Sequence, residues 1–184
     1  SRAAIAGGIT SFFDMPNVKP PTVSLQALEE KFQFAQGKCA ANYAFYLGAT
    51  NDNADELSRL EPGVTCGIKI FMGASTGNML VDKDEVLEDI FEHAKTVVVT
   101  HCEDTPTIKN NELAAKEKYG EDIPIEQHPY IRAEEACYLS SQKAVGLAKK
   151  YGTRLHVLHL TTAKELEFFK AGDINSKQIT VEAC

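Results

Sequence analysis

Polar side chains stand near the ends of several apolar segments that have the character of buried strands. Lys69 in GIKIF, His101 in VVVTHCED and His159 in LHVLHLTT each lie within or at the end of such a run. A fourth run is followed by DMPN, residues 14–17, which ends on Asn17. Functional groups of parallel α/β sheets gather where strands end and loops begin. These four residues are therefore the candidates for chemistry.

Strand periodicity indicates the direction in which Lys69 points. Alternate side chains of a β-strand face opposite sides of the sheet. One alternate set of the segment 67–73 is entirely aliphatic and suits contact with helices: Ile68, Ile70 and Met72. Lys69 belongs to the other set, so we expect it to face the interior of the fold.

The same rule assigns the histidines. One face of the segment 96–103 carries Val97, Val99, His101 and Glu103. One face of the segment 154–160 carries Leu155, Val157 and His159. His156 falls on the opposite face and is predicted to pack against a helix. Glu103 is either a support for a ligand histidine or a solvated loop acid, and Arg132 is assigned to a helix start.

An inward lysine needs a chemical reason, because burial of an unpaired ammonium group is costly and lowers the pKa of the amine. A neutral amine is a nucleophile, which can form a Schiff base with a carbonyl substrate. It can also react with CO₂ to form a carbamate that bridges two metal ions. Imidazoles on adjacent strands are good Zn²⁺ ligands, so His101 and His159 favour the carbamate. The structural alternatives are a salt-bridged Lys69, core histidines and an Asn17 that serves only the turn.

Strand and helix patterns alternate along the chain. Strands are predicted at 9–15, 42–49, 67–73, 96–103 and 154–162 and in the terminal QITVEAC. Helices are predicted at 24–36, with Ser24 as N-cap, 53–60, with Asn53 as N-cap, 82–94, 105–120, 132–150 and 163–172. Right-handed crossovers between such units produce a parallel sheet, either an open sheet or most of a (β/α)8 barrel. No glycine-rich phosphate loop follows the first strand, which removes the usual nucleotide-binding signature of an open sheet.

Composition excludes several classes of protein. The chain has 184 residues, a formal charge of -7 and 43% hydrophobic residues, with acids and bases interspersed. It has no basic stripe for nucleic acid and no apolar run of the ~20 residues that span a bilayer. Its 5 cysteines are odd in number and scattered, which is typical of a reducing, cytoplasmic compartment. The chain starts without Met and ends on a strand pattern, so we expect an internal piece of a longer protein.

The segments DMPN, GIKIFMGASTG, THCED and LHVLHLTT, in this order and spacing, resemble the dihydroorotases of the amidohydrolase superfamily. The resemblance covers essentially the whole chain. It implies a (β/α)8 TIM barrel of which residues 1–184 form the central part of one metal-dependent hydrolase domain, about strands 2–7, without the first and last strands. It further implies two Zn²⁺ ions bridged by a carboxylated Lys69 and bound by His101 and His159. Asn17 is similar to the asparagine that binds the substrate carboxylate, and the loop GASTGNML would border the substrate.

The implied activity is the reversible cyclisation of N-carbamoyl-L-aspartate to dihydroorotate in pyrimidine biosynthesis. The H-x-H ligands and the proton-shuttling aspartate of the family would lie before Ser1 and beyond Cys184. We therefore expect no catalytic acid or base within the chain, and an isolated chain that is inactive. Two alternatives remain: an allantoinase or hydantoinase, against which Asn17 favours a dihydroorotase, and a non-catalytic scaffold. Exposed sheet edges leave homo-oligomerisation open.

Overall fold

The computed structural model describes residues 1–73 and 78–183, in which strands alternate with helices. The strands are β1 (Ser11–Asp14), β2 (Asn42–Phe45), β3 (Leu47–Gly48), β4 (Ile68–Phe71), β5 (Val98–His101), β6 (Leu155–Leu160) and β7 (Ile179–Ala183). The helices are α1 (Arg2–Ala6), α2 (Leu25–Ala35), α3 (Ala54–Ser58), α4 (Asp84–His93), α5 (Thr105–Tyr119), α6 (His128–Ile131) and α7 (Glu134–Tyr151). Short 3₁₀ turns cover Ile125–Gln127, Lys164–Phe168 and Ile174–Ser176.

All strand pairings among the described residues are parallel and follow chain order. β1 pairs with β2, and β3, β4, β5, β6 and β7 form a five-stranded sheet. The predicted strand 42–49 is thus divided at Tyr46 between two sheets. Tyr46 N still donates to Asp14 O at 3.1 Å, so the ladder of β1 continues past the end of β2. Strands in chain order with helical crossovers are the arrangement of a (β/α)8 barrel.

The strand register separates the two faces of the sheet. Lys69 pairs with Val99, Val99 with His156, and His156 with Thr180, so these residues form one row across four strands. The neighbouring row, of Ile68, Val98 and Leu155, is at most 1% exposed and packs with α4 and α7 in the main core. Each fully buried aliphatic side chain of this kind contributes ~1.5–3 kcal/mol. On the opposite face a smaller cluster contains Tyr46, Val99 and Leu158.

The two predicted N-cap residues stand at the starts of their helices. The Ser24 side chain accepts from Ala27 N at 3.1 Å at the start of α2, as predicted. Asn53 is the N-cap residue of α3, also as predicted, but its side chain makes no capping hydrogen bond. Its Oδ1 accepts from Thr50 N at 2.8 Å, and its Nδ2 donates to Val23 O and Gly48 O, which holds the loop after β3.

The predicted helix 163–172 is wrong, because only the 3₁₀ turn Lys164–Phe168 forms there. Its Glu165 is 2% exposed and accepts from Ser141 Oγ at 2.5 Å and Thr162 Oγ1 at 2.6 Å. The bond from Ser141 holds the turn against α7. No described helix combines the length and apolar character needed to cross a membrane.

Candidate metal centre

Lys69 lies in the middle of β4 and is 1% exposed. Its Nζ donates to Ile70 O at 3.1 Å and lies 4.0 Å from the centroid of the Phe71 ring. Within residues 1–73 and 78–183, no acidic side chain forms an ion pair with it. Burial lowers the pKa of Lys69 to about 7, although Cys102 and Glu182 oppose the shift. The amine therefore has a substantial neutral, nucleophilic fraction near neutral pH.

The two candidate histidines meet. His101 Nδ1 and His159 Nε2 lie 3.0 Å apart, with ring centroids at 4.8 Å and an interplanar angle of 66°. Burial lowers the pKa of His159, and the charges of His101 and then of Lys69 add to that effect. The three candidate ligands thus lie in one electrostatic neighbourhood, and the pKa shift of His159 favours the neutral imidazole that binds metals.

A β-bulge brings His159 to this point. Val157 pairs with Val181 and Leu160 with Ala183, so β6 contains one more residue than β7 over this interval. His159 takes up the extra length with a φ of 40°, a conformation that residues other than glycine rarely adopt. The bulge re-aims its side chain toward His101.

The bulge also corrects the face assignment in β6. Leu155 and Val157 pack in the core beneath the helices and do not share a face with His159. His156, predicted to pack against a helix, lies instead in the row of Lys69 and Val99. Its Nδ1 lies 2.8 Å from Thr180 Oγ1 and its Nε2 3.3 Å from Glu182 Oε2. Strict alternation failed here because one inserted residue reverses the faces of a strand.

Glu103 holds the other side of the His101 ring. It is 6% exposed, and its Oε2 lies 2.8 Å from His101 Nε2. Arg132 Nε donates to Glu103 Oε1 at 2.7 Å, and Arg132 Nη2 donates to Oε2. Burial opposes ionisation of this carboxyl, but the hydrogen bonds from His101 and Arg132 outweigh it and lower its pKa to about 2. The structure therefore favours the supporting role of Glu103 over that of a solvated acid.

Arg132 is a member of this group that the sequence did not reveal. The sequence pattern predicts a helix start at Arg132, whereas Arg132 lies at the end of α6 and contacts Glu103 across 29 positions. The same hydrogen bonds raise the pKa of Arg132. Local periodicity contains no signal for a contact over this distance.

A cavity of about 290 Å³ opens beside the histidine pair. Its lining includes His101, Glu103, Arg132, His159 and Glu165. It is large enough for water and a small ligand group.

Asn17 lies in the exposed loop after β1. The adjacent Pro16 is buried and its carbonyl oxygen accepts from Thr22 N at 2.9 Å. A Cβ placed on Gly48 would lie 2.9 Å from Pro16 Cβ and 2.4 Å from Met79 Cε. The DMPN loop and the end of the predicted substrate loop therefore meet at the carboxyl end of β3. Residues 74–77 of that substrate loop lie outside the described residues, and the role of Asn17 stays a prediction.

The donor set fits zinc in part. Two nitrogens on one tetrahedral Zn²⁺ lie about 3.3 Å apart. The 3.0 Å between His101 Nδ1 and His159 Nε2 is close to that value. In the part of the chain that the structure describes, no cluster of three or more His, Cys, Asp or Glu side chains could hold a metal ion. The described candidates are thus two imidazoles and Lys69, and their assignment as ligands stays a prediction.

Known proteins with similar sequences are cyclic amide hydrolases by name. No family model matches the chain. The L-hydantoinase of Paenarthrobacter aurescens is 29% identical over 189 residues, which cover 100% of this chain and 40% of that protein. The dihydroorotase of Thermococcus kodakarensis is 32% identical over 169 residues, which cover 91% of this chain and 35% of that protein. The allantoinase of Deinococcus radiodurans is 29% identical over 193 residues, covering 100% and 42%.

Solved structures agree with these relatives. L-Hydantoinase (dihydropyrimidinase) from Arthrobacter aurescens has a TM-score of 0.88 at 27% identity, covering 99% of this chain and 41% of that chain. D-Hydantoinase from a Bacillus sp. AR9 has a TM-score of 0.72 at 27% identity, and the match covers 91% of this chain and 37% of that chain. The expected fold class, part of a (β/α)8 barrel, is confirmed, whereas dihydroorotase is not singled out among the relatives. The chain, which spans 35–42% of the length of the three relatives named above, belongs to the amidohydrolase family that includes hydantoinases, dihydroorotases and allantoinases.

Proposed function

We propose that this chain is the part of a metal-dependent cyclic amidohydrolase that contains Lys69, His101 and His159, and that the protein hydrolyses or closes a small cyclic amide. The observation that carries the proposal is the convergence of His101 Nδ1 and His159 Nε2 at 3.0 Å. The Lys69 amine, whose charge acts on His159, has a pKa that burial lowers to about 7. The names of the relatives support the same reaction class.

Lys69, His101 and His159 would supply part of the ligand set of two Zn²⁺ ions. The neutral Lys69 amine attacks CO₂ through its nitrogen lone pair and releases one proton, which leaves a carbamate with two ligand oxygens. His101 offers Nδ1 and His159 offers Nε2. When bound, the metal ions supply Lewis acidity at the ring carbonyl and lower the pKa of water.

Dihydroorotate is the substrate we propose first. It carries a carboxylate beside its cyclic amide, and the Asn17 side chain can donate to such a group. With this substrate the protein would serve pyrimidine biosynthesis in the cytoplasm. Hydantoin is the second candidate, because the L-hydantoinase structure matches 99% of the chain at a TM-score of 0.88.

Steady-state assays of the protein that contains this chain test the proposal. We expect Zn²⁺-dependent turnover of dihydroorotate, lost in Lys69→Met. Asn17→Ala should raise KM for dihydroorotate while leaving hydantoin turnover unchanged, because hydantoin has no carboxylate. The surface variant Lys95→Met, which removes only the ion pair with Glu61, is the matched lysine control.

The outcomes separate the candidates. If hydantoin or allantoin is turned over in preference, dihydroorotate is not the substrate, but the proposed reaction class still holds. Absence of turnover with all three substrates in the presence of Zn²⁺ would overturn the proposed enzymatic function and favour a non-catalytic scaffold protein. Activity that survives Lys69→Met would overturn the role of Lys69.

A further inference from the structure

The Glu103 carboxylate contacts His101 and Arg132 at the same time. Its Oε2 lies 2.8 Å from His101 Nε2, while Arg132 Nε donates to Oε1 at 2.7 Å. An ionised carboxylate only accepts hydrogen bonds, so the hydrogen in the contact with His101 resides on Nε2. A neutral imidazole carries one such hydrogen, which leaves Nδ1 with its lone pair. Nδ1 is the atom that lies 3.0 Å from His159 Nε2.

Arg132 is held where it can keep this carboxylate in place. Its own N donates to His128 O at 2.9 Å, and Asn111 Nδ2 of α5 donates to Ile131 O at 3.1 Å. A planar guanidinium that contacts both carboxylate oxygens fixes the orientation of the carboxylate as well as its position. The carboxylate is buried, so it lacks the solvent freedom that would let it rotate away from the imidazole.

We propose that Glu103, oriented by Arg132, is a positioning residue that fixes the Nε2–H tautomer of His101 and directs Nδ1 toward the metal position. The metal part rests on the proposed function; the tautomer does not. In the metal-free chain Nδ1 accepts a hydrogen bond from His159 Nε2. With the proposed function, His101 Nδ1 and His159 Nε2 would be the nitrogens that hold a metal ion.

Long-range ¹H–¹⁵N NMR of the metal-free chain with ¹⁵N-labelled histidine reads the tautomer directly. It is recorded near pH 8, where unperturbed histidines are neutral. The chain has 5 histidines, and a His101→Gln variant assigns the signal. We expect His101 as Nε2–H in the parent chain and as a mixture of tautomers in Glu103→Ala. Glu103→Gln, which retains shape and one acceptor oxygen, should restore most of the Nε2–H form.

A matched control separates tautomer control from loss of a buried carboxylate. Glu165→Gln removes another buried carboxylate of the same cavity, one whose partners are hydroxyl groups of Ser141 and Thr162. It should leave the His101 tautomer unchanged. The proposal would be overturned if His101 were the Nδ1–H tautomer in the parent chain. It would also be overturned if His101 remained entirely Nε2–H in a folded Glu103→Ala variant. If Glu103→Ala does not fold, Arg132→Met is measured in its place. It should also lower the fraction of His101 in the Nε2–H form.

Zinc affinity gives the second readout, measured by competition with a chromophoric chelator on the same samples. Loss of an outer hydrogen-bond partner typically weakens metal binding by ~10–100-fold. We expect that loss in Glu103→Ala, a smaller one in Arg132→Lys, and none in Glu165→Gln. Equal zinc affinities of Glu103→Ala and Glu165→Gln would contradict the claim that Glu103 directs Nδ1 of His101 toward the metal position. No binding by the parent chain would count against the proposed function, while the NMR result would still decide the tautomer.

Discussion

At the residue scale, Lys69 has the environment of a reactive amine. It lies in β4 with 1% of its surface exposed, and its described contacts are a backbone oxygen and the Phe71 ring. The ring interaction stabilises the charged form by only ~0.5–2 kcal/mol, which is less than the cost of burying an ammonium group. Desolvation therefore dominates, in agreement with a pKa of about 7.

This balance predicts a pH-dependent stability. The unfolded lysine retains its proton up to its ordinary pKa of 10.5, whereas the folded one loses it near pH 7. Between these values the unfolded state binds more protons, so the free energy of unfolding rises with pH. The metal-free, CO₂-free chain should be less stable than Lys69→Met at pH 7 by roughly 3–5 kcal/mol.

Urea unfolding at several pH values checks this expectation. The difference between the two proteins should narrow steadily from pH 7 toward pH 10. Lys95→Met, whose lysine is exposed, should show no such trend. A difference that stays constant with pH would mean that Lys69 remains charged and paired.

At the element scale, the ends of β4 and β5 are packed against each other with no spare volume. A Cβ placed on Gly73 would lie 2.1 Å from the backbone oxygen of Glu103. That oxygen belongs to main chain, which cannot rotate away like a side chain. A side chain at position 73 would therefore collide with the main chain that follows the strand carrying His101.

Alanine at two glycines should therefore have opposite effects. Gly73→Ala should lower the free energy of unfolding by about 1–3 kcal/mol, because β4 or β5 must shift to admit the methyl group. Gly146→Ala in α7 meets no atom within 4 Å and should raise it by about 0.5–1 kcal/mol. Urea midpoints of the two variants measure both changes. A neutral Gly73→Ala would show that the strand ends are not closely packed.

At the scale of the whole molecule, β1 and β7 are the first and last of the described strands, and each has a neighbour on one side. β1 pairs only with β2 and β7 only with β6 within residues 1–73 and 78–183. Phe13 in β1 is 63% exposed, and its ring lies edge-on to that of Tyr46 at 6.2 Å. An apolar, unpaired strand edge promotes pairing with another chain.

We therefore expect the 184-residue chain to self-associate through β1. Phe13→Lys should shift the mass measured by light scattering at tens of micromolar protein toward the monomer, since a charge blocks edge pairing. Phe34→Lys removes an equally exposed phenylalanine, 72% accessible on α2, and should leave the association unchanged. A parent chain that is monomeric at all concentrations would contradict the prediction.

The sequence by itself determined the order of the strands and the inward direction of Lys69. Both depend on local properties: alternation within one strand, and short crossovers that place consecutive strands side by side. The same local rule succeeded for Ile68, Ile70 and Met72, which pack in the main core as expected. The sequence also indicated His101 and His159 as candidate ligands beside Lys69.

Only the tertiary structure decided how these partners meet. The bulge in β6 lies after Val157 and turns His159 toward His101, because one extra residue reverses the faces of a strand without altering the local pattern. His156 precedes the bulge and therefore lies on the opposite face from the one that His159 indicated, in the row of Lys69. The Glu103–Arg132 contact spans 29 positions and depends on where α5 and α6 return the chain. Contacts of this kind are set by packing of distant segments, and no periodicity within either segment encodes them.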